Sequence, residues 1–142
     1  MKLSEHFTLE ELTSSATARR YNIPNNPTPE VVEKLRSLCL KVLEPLRQRY
    51  GKPVIVSSGY RSVNLNIKVG GVSTSQHIYG EAADIRSVSD SKEDNKEIFD
   101  ILKQMIRDEE ICVGQLINEY DYNWVHVSLP NKKHKNEIIA VV

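Results

Sequence analysis

The stretch Ser75-Gln76-His77-Ile78-Tyr79-Gly80-Glu81-Ala82-Ala83-Asp84 sets a histidine and an aspartate apart by glycine and small residues. Imidazole and carboxylate are both metal ligands, and small residues between them permit the close backbone approach that brings two side chains to one point. The decapeptide reads as two thirds of a metal site, with a hydrogen-bonded loop as the plainer alternative. His126 offers a third ligand. In an extended segment over Trp124–Leu129, Trp124, His126 and Ser128 share one face while Val125, Val127 and Leu129 share the other. The histidine then faces a cleft while the apolar side packs inward. Three protein ligands and one position kept for water is the pattern of catalytic zinc. No H-E-x-x-H is present, so a thermolysin-like helix site is excluded.

The pattern S-x-H-x-x-G-x-A-x-D from Ser75 to Asp84, followed by W-x-H at Trp124–His126, resembles the zinc D-alanyl-D-alanine carboxypeptidase family, whose fold is shared with the hedgehog signalling domain. The resemblance implies an α+β, hedgehog/DD-peptidase-like fold: a small, mainly antiparallel sheet that carries the ligands, with helices packed on it. It also implies Zn2+ held by His77, Asp84 and His126. The implied activity is that of a metallopeptidase hydrolysing bonds involving D-amino acids in peptidoglycan stem peptides, as a carboxypeptidase or as an endolysin-like endopeptidase of cell wall degradation. Ser58-Gly59-Tyr60-Arg61-Ser62 matches a family segment whose arginine polarises the scissile carbonyl or holds a substrate carboxylate. A guanidinium suits that task because its planar, paired donors meet developing negative charge. Tyr60 and the motif serine, Ser75, are the candidate substrate-binding residues.

One position departs from the family. Its acidic residue stands three places before the last histidine ligand, where this chain has Asn123, which cannot accept the proton that amide hydrolysis requires. A hairpin argument supplies a substitute. With a turn centred on Asp121-Tyr122, Glu119 pairs with Trp124 and Ile117 with His126, so Glu119 lies on the face of His126 and diagonal to it, about 7–8 Å away. Glu119 is the first candidate for the base and Asp121 the second. A slip of one residue would turn Glu119 to the other face. Asn123 also sustains a rival reading, a non-catalytic zinc-containing peptidoglycan-binding module of the same fold.

The elements that must position these residues follow in order. Thr8 and Glu11 form a capping-box pattern ahead of short helical turns between Leu9 and Tyr21. Asn22–Pro27 reads as an exposed loop. Thr28 and Pro29 open a helix in which Val31, Leu35, Leu38, Val42 and Leu46 recur at helical spacing, with a bend expected near Pro45 and an end at Gly51. Pro53–Val56 and Ala82–Ile85 read as strands, with a helical turn between them near Asn64–Val69. Ile98, Leu102, Met105 and Ile106 mark an amphipathic helix, and Val113–Glu119 and Trp124–Leu129 form a hairpin. The tail Asn131–Lys135 reads as polar surface, and His6 and His134 as structural or solvent-facing.

The 142 residues suit one domain, 1–142, and the 19 basic and 19 acidic side chains balance, so no global field draws the chain to nucleic acid or an anionic membrane. The expected partner is a peptidoglycan peptide, met by a monomer. Met1–Phe7 shows no signal-peptide pattern, which suggests cytoplasmic synthesis and arrival at the wall by phage-type release. Cys39 and Cys112 lack metal or redox spacing and read as small buried hydrophobes.

Overall fold

The computed structural model describes residues 1–141. Helices α1 (Leu9–Thr13), α2 (Ala16–Arg20), α3 (Pro29–Leu38) and α4 (Glu44–Tyr50) precede the first strand, β1 (Val54–Ser58). Then come α5 (Val63–Lys68), a 3-10 turn (Gln76–Tyr79), β2 (Ala82–Ser87), α6 (Lys92–Arg107), β3 (Gln115–Glu119), β4 (Trp124–Ser128) and β5 (Glu137–Val141). None of the described helices is long and apolar enough to cross a membrane.

The expected capping box is present: Thr8 Oγ1 accepts from Glu11 N and the Glu11 carboxylate accepts from Thr8 N. The long helix expected from Pro29 to Gly51 changes pitch rather than running through. Cys39–Leu43 is a π turn, in which Glu44 N–H reaches back five residues to Cys39 O just before Pro45, which has no N–H to give. Leu35, Leu38, Val42, Leu43 and Leu46 along this rod are wholly buried. Each contributes about 1.5–3 kcal/mol of apolar burial.

The sheet order is β1-β2-β4-β3-β5. Expectation of a mainly antiparallel sheet is corrected: the sheet is mixed, because β5 runs parallel to β3 at one edge. That strand lies beyond the polar tail, where a short Glu-Ile-Ile-Ala-Val run carries no turn or hairpin signal of its own. Ala83, Ile85, Leu116, Val125 and Val127 are fully buried on the face that meets the helices, together with Ile98 and Leu102 of α6. By strand alternation, Asp84, Ile117, Glu119 and His126 take the other face. Cys39 is buried as expected, whereas Cys112 is exposed.

Candidate metal centre

His77 is delivered by the 3-10 turn after Ser75, whose Oγ accepts from His77 N at 3.2 Å. Gly80 ends that turn at φ 73, and a Cβ there would meet Val31 Cγ1 at 2.8 Å, so both its backbone angle and its packing demand glycine. Gly59, in the loop after β1, is equally constrained: a Cβ would meet Leu12 O at 2.2 Å. The Gly59 carbonyl accepts from His77 Nδ1 at 2.7 Å. That bond places the ring proton on Nδ1 and leaves Nε2 as a lone-pair donor.

Asp84 and His126 are direct partners across the β2–β4 ladder. His126 Nδ1 lies 2.9 Å from Asp84 Oδ1, and His77 Nε2 lies 3.4 Å from the same oxygen. One potential ligand atom from each of the three residues falls within 4.8 Å of the others. Burial alone would raise the Asp84 carboxyl, but hydrogen bonds and charge from His126 and His77 outweigh it and hold the group well below the usual carboxylate range. The set therefore brings an ionised carboxylate and two imidazoles to one point, and two imidazoles with one carboxylate suit zinc.

Glu119 occupies the position that the hairpin argument requires. The ladder pairs Glu119 with Trp124 and Ile117 with His126. Glu119 and His126 line one groove of about 290 Å³ together with Ser75, Gln76, Gln115 and Ile117. Desolvation raises the Glu119 carboxyl above its ordinary value, with His126 opposing and Asp84 adding to the shift. Asp121 is corrected: it is exposed, its Oδ2 is paired with Lys92 Nζ at 2.8 Å at the start of α6, and it does not line the groove. Asn123 belongs to the turn, its N–H bonded to Glu119 O at 3.0 Å.

Arg61 stands behind the triad rather than on the groove. Its Nη2 is 3.6 Å from Asp84 Oδ2, while Nε bonds Ser58 Oγ at 3.3 Å and Nη1 bonds Asn66 Oδ1 at 2.9 Å. Tyr60 lies beside it, part-buried against the core, and both line a separate cavity with Ser14–Thr17. Of the two candidate substrate-binding residues, Ser75 therefore lines the groove with His126 and Tyr60 lines the other cavity. The loop carrying both residues is locked by Tyr60 N to Leu12 O at 2.7 Å and by Asn25, which bonds Ser62 N, Tyr60 O and Thr13 O. Asn25 sits in a segment that reads as a plain exposed loop, and only tertiary contact reveals its bridging role.

One further cluster departs from expectation. The Asn131–His134 loop lies on the groove, so Lys133 and His134 are not remote surface. No local pattern could show this, because β5 folds the tail back. His6 is a structural group as expected, its Nδ1 bonded to Glu44 Oε2 at 2.6 Å. At the hairpin tip, Tyr120, Asp121 and Tyr122 all take left-handed angles (φ 50, 57 and 62). The strain is contained by Asn118 Oδ1, which accepts from Tyr122 N at 2.6 Å, and by buried Asn95, whose Nδ2 donates to Tyr122 O at 3.0 Å.

A family model described as peptidase M15 matches residues 5–128. A zinc D-Ala-D-Ala carboxypeptidase of Streptomyces albus G is 50% identical over 44 residues, a stretch covering 30% of this chain and 17% of that protein.

Proposed function

The chain belongs to the peptidase M15 family, and from that premise we propose that it is a zinc metallopeptidase acting on peptidoglycan stem peptides at bonds involving D-amino acids. The carboxypeptidase or endolysin-like character, and the kinship of its fold with the hedgehog signalling domain, are parts of this proposal. The observation that carries it is the convergence of His77, Asp84 and His126 beside a groove that also holds Glu119. The name of the Streptomyces relative supports zinc and a D-Ala-D-Ala substrate.

His77 Nε2, Asp84 and His126 Nδ1 would hold the ion. Bound there, zinc supplies a Lewis acid that polarises the scissile carbonyl and brings the pKa of water toward ~7. The Gly59 carbonyl fixes the His77 ring in the tautomer that presents Nε2. Glu119 accepts a proton from the attacking water and delivers it to the leaving amine nitrogen, so that the C–N bond breaks with a neutral amine as product. Its half-withdrawn position keeps the carboxyl above the ordinary glutamate range, which favours the return of the proton. Arg61 acts from behind the triad, where its Nη2, 3.6 Å from Asp84 Oδ2, holds the ligand carboxylate in place. Ser75 holds the His77 turn and lines the groove where substrate would lie.

The test is mass spectrometry of purified peptidoglycan fragments after incubation with the protein, with and without a chelator. New peptide termini that vanish on chelation support the proposal and identify the bond. A zinc-loaded protein that leaves every fragment intact would favour the non-catalytic module, for which Asn123 is the specific argument.

A further inference from the structure

The groove beside His126 has a second end. Gln115, Ile117 and Glu119 lie at alternate positions of β3 and all line it. Ile117 is opposite His126. Gln115 is two residues further, which is ~7 Å at the rise of a strand. Gln115 pairs with Glu137 of β5, to which His134 is bonded, so the loop with Asn131, Lys133 and His134 lines the groove at that end.

This loop is built, not draped. Asn131 Oδ1 accepts from Lys133 N at 2.9 Å and from His134 N at 2.7 Å, and Asn131 N donates to His134 O at 3.0 Å. His134 Nδ1 is anchored to Glu137 Oε2 at 2.7 Å, at the first residue of β5. Lys133 has no ion-pair partner among the described residues. Gln76 also lines the groove, and its Oε1 is the one buried side-chain polar atom without a hydrogen-bond partner among the described residues.

We propose that Lys133, with His134 beside it, forms a subsite for a substrate carboxylate one or two residues beyond the scissile bond. The chemistry of the alternatives leads here. Arg61, the other cation near the triad, has Nε and Nη1 bonded to Ser58 and Asn66 and Nη2 against Asp84, and it does not line the groove. The Lys133 side chain lines the groove on a flexible four-carbon stem, so its ammonium can meet a carboxylate of a peptide lying there. The subsite would make the enzyme prefer a free carboxyl terminus near the cut over an amidated or extended one. It rests on the peptidase reading given above and specifies the substrate end that this reading leaves open.

The test compares an N-acetylated tripeptide ending in D-Ala-D-Ala with its C-terminal amide, using zinc-loaded wild type, K133A and K133E. Hydrolysis is followed by mass spectrometry, and binding to the same samples by NMR titration, which needs no turnover. The expected wild-type preference for the carboxylate is about tenfold or more, the scale of one charge-assisted hydrogen bond. K133A should remove most of it, K133E should reverse it, and both should leave handling of the amide near wild type. The wild-type preference should also shrink as salt is raised. A preference unchanged in K133E, or absent from wild type, overturns the subsite. Binding preference lost in K133E without turnover in any sample would support the subsite while sinking the peptidase reading. Turnover with equal preference in wild type and K133E would do the opposite.

Discussion

Asp84 stands directly opposite His126 across the β2–β4 ladder, with Oδ1 and Nδ1 2.9 Å apart. Two strands distant in sequence are thus registered so that a carboxylate and an imidazole meet on the face of the sheet opposite the core. The D84N variant keeps the shape and removes the charge. Its zinc affinity should fall by more than the 10–100-fold typical of losing a supporting partner. Metal analysis after dialysis against a chelator reads this, and zinc should raise the melting temperature of wild type but not of D84N. Equal zinc retention in both would remove Asp84 from the ligand set.

The pH dependence follows from Glu119. Burial leads the shift that raises its carboxyl above the ordinary 4.5, and the base form is the charged one. Activity is therefore present above the raised pKa and lost as pH falls through it. The acid limb of kcat/KM should disappear from the profile of any residual activity in E119Q. A limb unchanged in E119Q would assign it to another group.

The hairpin tip holds three residues in left-handed backbone. Three consecutive left-handed residues cost on the order of 1–3 kcal/mol each, and Asn118 Oδ1 is one of the groups that stabilise them. Asn118→Ala should destabilise the fold by about 1–3 kcal/mol through the lost acceptor. Asn118→Asp keeps the acceptor and should recover most of the loss in denaturant unfolding. Since Glu119 is the next residue, the alanine variant should also lower kcat more than it raises KM.

Glu44 ties the amino-terminal turn to the core. Its carboxylate accepts from Ser4 Oγ at 2.7 Å, His6 N at 2.8 Å and His6 Nδ1 at 2.6 Å. Burial would raise its pKa, yet the bonds from His6 and Ser4 win and lower it below 4.5. A folded-state pKa below the unfolded one gives stability that is complete above the unfolded value and lost as pH falls through the folded one. Glu44→Gln should cost about 2–3 kcal/mol near neutral pH and progressively less in acid. A penalty that stays constant down to acid pH would contradict this linkage.

What could be read in the sequence was what is local. His77, Asp84 and His126 stand in short patterns, and period-two alternation sufficed to place Glu119 opposite Trp124 and on the face of His126. The long amphipathic rod of Leu35, Leu38 and Leu46 was equally plain. What escaped depends on distant pairing. β5 joins β3 in parallel through contacts that no hairpin signal announces, and it carries Lys133 and His134 onto the groove. Asn25 and Asn95 resemble ordinary turn and helix polar residues until the folded chain shows which backbone groups they satisfy. Asp121, the second candidate base at the hairpin turn, is exposed, pairs with Lys92 and does not line the groove.

The most direct measurement is hydrolysis of a D-Ala-D-Ala peptide by zinc-loaded E119Q beside wild type, with zinc counted in the same samples. The amide preserves size and removes the proton acceptor. One zinc per chain in both proteins, with kcat reduced by about 10²–10⁴-fold in the variant, is the predicted result. Undiminished turnover by E119Q at full zinc occupancy would contradict the assignment of Glu119 as the group that moves the proton.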